Sequence, residues 1–197
     1  MKKVAVVLSG CGVFDGSEIH EAGAALMALH RAGAEVQVCA PAGPQMHVVD
    51  HLAGEPAEGR SRDMLVEAAR IARGDIKPLA DVDPAAFDAI VLPGGFGAAK
   101  NLCTFAVDGD TCSVNPEVEA FLKKAKDADK PIGAMCIAPV ILARVFGPEL
   151  KPSVTIGNDP ATAGLVEKMG ARHVDCAADE CVVDVPNRMA TTPAYML

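Results

Sequence analysis

Short apolar runs alternate with amphipathic helical stretches along almost the whole chain. The runs end in turns, and the helical stretches carry apolar residues at a 3.6-residue spacing. Because parallel strands need a long crossover between them, this alternation predicts an α/β fold: a doubly wound, mostly parallel sheet with helices on both faces. Strands are predicted at 3–8, 35–40, 88–92, 130–135 and 154–156, and helices at 17–32, 61–73, 115–128, 139–146 and 160–169. Residues 182–184 and 188–191 are predicted to form a terminal pair of strands.

The length of 197 residues suits one domain. The chain has no Trp and one Tyr, so its core must be built from Val, Ile, Leu, Ala and Met, as in a parallel sheet covered by helices. Residues 41–84 are long for a single crossover. We therefore expect a small insertion there, lying over the sheet edge or over the active site.

Charge and cysteine usage exclude several functions. A net charge of −8 without a basic block disfavours binding to nucleic acid or anionic membranes. No secretory signal and no apolar run of about 18 residues is visible, which predicts a cytoplasmic protein. Seven Cys without a C-x-x-C pair indicate neither a disulfide framework nor a zinc site, and we expect no metal and no cofactor.

Cys136 has the sequence context of a nucleophile. It follows a buried strand and precedes a helix that has Pro139 in its first turn. A thiol at a helix N-terminus faces unpaired N–H groups and the positive end of the helix dipole, so its pKa is expected to fall below about 8.5. The alternative is an inert buried Cys, which is the usual role of Cys in an apolar string.

A glycine-rich turn, Pro93-Gly-Gly-Phe-Gly97, follows another predicted parallel strand and so reaches the same edge of the sheet. The backbone N–H groups at Gly94 and Gly95 could form an oxyanion hole together with the N–H of Ile137. A plain tight turn is the alternative.

The first predicted helix carries two acids on one face, Glu18 and Glu21. Glu18 suits a helix N-terminus, where negative charge is favourable. Glu21 lies deeper, among small residues, and is the better candidate for proton transfer beside the thiol. We expect Ser17 to cap this helix. Of the scattered His residues, His20 is the one worth following because it adjoins Glu21.

The loop at residues 9–16 has the wrong glycine spacing for a dinucleotide site and lacks the Gly-Lys-Ser/Thr of a P-loop. We interpret it as a pocket wall. Cys11 in this loop, and Lys100 and Asn101 after the glycine-rich turn, are candidates for lining the pocket. Structural roles for Cys11 and a surface position for Lys100 are the alternatives.

Four segments of the chain resemble the ElbB family, which is described as glyoxalase ElbB or isoprenoid-biosynthesis-like protein within the PfpI-like, class I glutamine amidotransferase-like superfamily. The segments are 9–21 (SGCGVFDGSEIHE), 93–101 (PGGFGAAKN), 135–139 (MCIAP) and 191–196 (TTPAYM). The resemblance covers essentially the whole chain. In the family a final helix follows, so a C-terminal helix is expected to be missing here.

The resemblance implies a flavodoxin-like sheet with a nucleophile elbow at Cys136 and a helix-one acid at Glu21. It also implies a homodimer and a glutathione-independent glyoxalase that converts glyoxal, or methylglyoxal, to the hydroxy acid through a Cys hemithioacetal. In superfamily proteases and amidotransferases a His commonly follows the Cys. Ile137 stands at that position here. A Cys amidase or peptidase, and a non-catalytic redox sensor or regulatory protein, are the alternatives.

Overall fold

The computed structural model describes residues 1–193. Its centre is a seven-stranded sheet with the order β10-β11-β7-β6-β1-β2-β5, parallel throughout except for the antiparallel pair β10–β11. The predicted doubly wound fold is therefore confirmed. The strands are β1 (Lys3–Val7), β2 (Glu35–Ala40), β3 (Val49–Asp50), β4 (Glu55–Pro56), β5 (Ile76–Pro78), β6 (Ala89–Leu92), β7 (Ile132–Met135), β8 (Ser153–Val154), β9 (Arg172–His173), β10 (Val182–Asp184) and β11 (Met189–Thr192).

Helices cover both faces of this sheet. Alternation along β1 directs Ala5 and Val7 to one face and Val4 and Val6 to the other. The first pair packs in a cluster with α5, α6 and α7, and the second packs with α1 and α2. The helices are α1 (Ile19–Arg31), α2 (Met64–Ile71), α3 (Phe96–Lys100), α4 (Phe105–Asp108), α5 (Pro116–Asp127), α6 (Pro139–Leu150) and α7 (Pro160–Lys168). Within residues 1–193, no helix has the length and hydropathy that crossing a bilayer requires.

The segment 41–84 contains a short hairpin (β3–β4), helix α2 and strand β5. Strand β5 pairs with β2 and forms one edge of the main sheet. The pattern gave no strand there because β5 has three residues and ends in Pro78, which only an edge strand tolerates. The strand predicted at 154–156 corresponds to β8, which pairs with β9 in a separate two-stranded sheet and not with the main sheet.

The terminal pair of strands forms as predicted, and β11 continues the sheet by pairing in parallel with β7. The sheet thus brings the carboxyl ends of β1, β6, β7 and β11 to one edge. Helix α6 is longer than predicted, because Pro148 lies inside its last turns without ending it. The expectation about a C-terminal helix, and the last residues of the 191–196 motif, lie outside the described residues.

We predict opposite effects for two Gly→Ala substitutions in helices. A Cβ at Gly147 in α6 would collide with the carbonyl of Met169, whereas a Cβ at Gly23 in α1 meets nothing within 4 Å. Gly147→Ala should therefore lower the free energy of unfolding by about 1–3 kcal/mol. Gly23→Ala should raise it by about 0.5–1 kcal/mol. Urea unfolding measures both, and equal effects would contradict this description of α6 packing.

Candidate active site

Cys136 occupies a sharp turn between β7 and α6. Its backbone has φ 61°, in the left-handed region that residues other than glycine rarely adopt. Its N–H donates to the carbonyl of Thr192 in the neighbouring strand β11, with an N–O distance of 3.1 Å. The conformation costs energy and is held by the surrounding strands, which is typical of a functional turn. The thiol is directed to the carboxyl edge of the sheet, where ligands bind in such folds.

Glu21 lies beside this thiol. The carboxylate of Glu21 accepts a 2.9 Å hydrogen bond from the N–H of Gly94. The same carboxylate and the sulfur of Cys136 would lie 2.6 Å and 2.9 Å from a Cβ placed on Gly94, so the two groups are close neighbours. Such a Cβ would also collide with the Cβ of Cys136. Gly94 therefore allows the thiol and the carboxylate to meet, and its N–H positions Glu21 rather than facing a substrate.

Two backbone N–H groups face the sulfur of Cys136. They belong to Gly95, which has φ 99°, and to Ile137. A side chain on Gly95 would collide with the backbone of Gly16 and Glu18, so glycine is required there. In the part of the chain that the structure describes, neither N–H donates to a backbone carbonyl. Both are therefore free to stabilise negative charge next to the thiol.

The expected lowering of the thiol pKa is not found. Burial raises the pKa of Cys136 to about 12, and the charge of Glu21 adds to this, while the N–H groups of Gly95 and Ile137 oppose it. The prediction of a lowered thiol pKa was wrong, because it counted the helix N-terminus and omitted desolvation and the neighbouring carboxylate. Burial is also the main cause that raises the pKa of Glu21, and Glu18 contributes. The site thus holds a neutral thiol against a base of increased proton affinity.

A cavity of about 270 Å³ opens in front of the thiol, and its walls are almost entirely apolar. Two surface clefts of about 370 Å³ are larger but lie away from Cys136. The residues that line the cavity come from the glycine-rich loop, α1, the glycine-rich turn and the elbow: Val13, Glu18, Glu21, Gly95, Phe96, Cys136 and Ile137.

The sequence analysis ranked Glu18 below Glu21, but the structure gives Glu18 two roles at the site. Its carboxylate caps α1 by accepting a 2.6 Å hydrogen bond from the N–H of Glu21, and it also lines the cavity. Ser17 was the expected cap, but its hydroxyl accepts a hydrogen bond from the N–H of Ser9 instead. A Glu at this position is an uncommon cap, so the sequence carried little signal for it.

Asn101 and Cys11 do not line the cavity. The amide of Asn101 donates to the carbonyls of Ser9 and Asp15, so it fastens the glycine-rich loop to α3. Cys11 is half-buried, and burial raises its pKa; the charges that act on it come chiefly from Arg70 and Glu67. Lys100 donates to the carbonyl of Phe14 and does not reach the thiol.

The cavity lining contains no His. His20 extends into solvent, where its ring lies 2.9 Å from the carboxylate of Glu18, and its side chain is 96% exposed. Within residues 1–193 no group of three or more His, Cys, Asp or Glu is arranged to hold a metal ion. Among the described residues, the chemistry at this site therefore comes from one thiol, the carboxylates of Glu18 and Glu21, and two free N–H groups.

Residues 2–185 match the DJ-1/PfpI family. The chain belongs to this family. A solved structure from Ehrlichia chaffeensis, described as an isoprenoid biosynthesis protein with an amidotransferase-like domain, is 39% identical. It superposes with a TM-score of 0.91 over 99% of this chain and 89% of that one. Drosophila melanogaster DJ-1beta, at 21% identity and a TM-score of 0.60, shares the fold. The resemblance to ElbB-like, glutamine amidotransferase-like proteins is confirmed.

Two curated relatives of this DJ-1/PfpI member bear on its location. The human glutamine amidotransferase-like class 1 domain-containing protein 3, mitochondrial, is 53% identical over 98% of this chain and 75% of its own length. The zebrafish (Danio rerio) ES1 protein, mitochondrial, is 40% identical over 98% of this chain and 76% of its own. The prediction of a cytoplasmic location was wrong, since these names point to mitochondria. It rested on the lack of a visible secretory signal and of a membrane-spanning apolar run, and neither distinguishes cytoplasm from mitochondria.

We predict that Glu21→Gln increases thiol reactivity while it removes the base. The carboxylate raises the pKa of Cys136, so a neutral amide lets that pKa fall and gives more thiolate at a fixed alkaline pH. Iodoacetamide alkylation of the Cys136 peptide, followed by mass spectrometry between pH 7 and 10, should be faster in the variant. Glu117→Gln on the exposed face of α5 is the control. An unchanged or slower rate would contradict the electrostatic account.

Proposed function

We propose that this protein is a glutathione-independent glyoxalase, which converts a small 2-oxoaldehyde to a 2-hydroxy acid. One observation carries the proposal: the Glu21 carboxylate and the Cys136 thiol lie side by side at Gly94 and line one cavity, and two free N–H groups face the sulfur there. The family match and the resemblance to ElbB-like proteins support a reaction of this class without naming it.

The first step uses the proton between the two side chains. Glu21 takes the proton of the Cys136 thiol while the sulfur attacks the aldehyde carbon. The carbonyl π electrons move to oxygen, and the N–H groups of Gly95 and Ile137 stabilise the oxyanion. Glu21 then returns that proton to the oxyanion, which gives a hemithioacetal and restores the carboxylate. Because the base carries the proton away as the bond forms, no standing thiolate is needed.

The second step moves a proton between the two carbons of the substrate. Glu21 removes the proton from the thiohemiacetal carbon, and the electrons pass through an enediol. Reprotonation at the neighbouring carbon leaves a thioester of the 2-hydroxy acid. Water then cleaves the thioester and restores the thiol. One carbon is oxidised and its neighbour is reduced. In the overall reaction the 2-oxoaldehyde and water give the 2-hydroxy acid, and no external oxidant or cofactor is consumed.

The cavity disfavours the two alternatives considered from the sequence. An amidase or peptidase needs a group that protonates a leaving amine, which is commonly His, and no His lines the cavity. A redox sensor needs an exposed thiol of low pKa, whereas Cys136 is half-buried and its pKa is raised to about 12. The homodimer stays a prediction, which light scattering can check.

We predict that Cys136→Ser and Glu21→Gln each lower kcat/KM for glyoxal and methylglyoxal by at least about 10²-fold, because each removes a group that takes part in bond formation. Glycolate or lactate formation measures this directly. Cys181→Ser, which changes an exposed thiol, is the matched control and should keep full activity. Full activity in Cys136→Ser, or absence of turnover in the wild-type protein, would overturn the proposal.

A further inference from the structure

We infer that the cavity selects 2-oxoaldehydes that carry a bulky apolar substituent, branched alkyl or aryl, in preference to glyoxal itself. This inference rests on the proposed function, since it assigns a substrate class to the same site. It depends on the volume of the cavity, on its apolar walls and on the charges among its lining residues.

The cavity is large for the smallest substrate. A volume of about 270 Å³ corresponds to roughly nine waters at about 30 Å³ each. Glyoxal has only four non-hydrogen atoms and would leave most of this space unfilled. An apolar substituent would displace water from apolar walls, and one methylene in such a pocket typically changes kcat/KM by about 10-fold or more.

The lining combines a few polar groups with apolar side chains. The polar groups are the thiol of Cys136, the carboxylates of Glu18 and Glu21, and the N–H groups that face the sulfur. Val13 and Phe96 contribute apolar side chains to the lining, and the N–H of Phe96 donates to the carbonyl of Val13 at 2.7 Å. This bond ties the glycine-rich loop to α3, so the apolar wall is held at a fixed place relative to the nucleophile.

The charge at the site argues against anionic substrates. The described residues of the lining include two acids, Glu18 and Glu21, and no Lys, Arg or His. The nearest cation in α3, Lys100, lies 5.5 Å from the ring centre of Phe96 and donates to the carbonyl of Phe14. A substituent that ends in a carboxylate would meet like charge without a counter-ion, whereas a neutral apolar group would not.

The test compares kcat/KM for glyoxal, methylglyoxal and phenylglyoxal, with glyoxylate as an anionic competitor. The wild-type protein should prefer phenylglyoxal to glyoxal by at least about tenfold, and glyoxylate should compete poorly. Val13→Thr keeps the shape of the wall and adds a hydroxyl, and Phe96→Ala removes the ring. Both should reduce the phenylglyoxal-to-glyoxal ratio by about tenfold, because the lost contacts are made by the substituent.

Val107→Thr is the matched control: it makes the same change on exposed α4 and should leave the ratio intact. Circular dichroism checks that each variant is folded, and Phe96→Leu provides a second, conservative change of the ring. Two results would overturn the selectivity alone. One is Cys136-dependent turnover with equal kcat/KM for all three aldehydes. The other is a phenylglyoxal-to-glyoxal ratio that Val13→Thr and Phe96→Ala leave unchanged. Absence of turnover for every aldehyde would instead overturn the proposed function.

Discussion

The arrangement of the site depends on one contact, between the thiol of Cys136 and the carboxylate of Glu21 in a place from which most water is excluded. Desolvation disfavours charge on either group, so each has a raised pKa. A single proton between them satisfies both. The pair therefore holds a neutral nucleophile beside a charged base, and the sulfur gives up its proton only as it attacks a substrate.

The local backbone conformations around the elbow all serve this contact. The left-handed conformation of Cys136 aims the sulfur at the first helix, and the absence of a side chain on Gly94 allows the carboxylate to approach it. Glu18 fixes the first turn of α1 through the N–H of Glu21, while its own charge increases the proton affinity of the base. The free N–H groups of Gly95 and Ile137 complete the electrostatic environment.

Much of this could be predicted from the sequence, since apolar runs and turn residues report on the sheet and on the strand–Cys–helix turn. The predictions that were wrong are those that depend on the energetics of packing. A helix N-terminus stabilises a nearby charge by about 0.3–1 kcal/mol. That is too little against the burial of Cys136, which no sequence pattern reveals. Asn101 proved structural because its amide found two carbonyls across the fold. The apolar wall at Val13 and Phe96 was missed because single apolar residues in glycine-rich loops carry no periodic signal.

A double-mutant cycle on kcat/KM tests the central claim most directly. If Cys136 and Glu21 act as one unit, kcat/KM should be nearly the same in Cys136→Ser and in the double variant that also carries Glu21→Gln. Without the thiol, the carboxylate has no proton to remove from sulfur. The coupling should be large, of the same order as the effect of Glu21→Gln alone. Strictly additive losses across the cycle would show that the two side chains work independently, and would contradict the account.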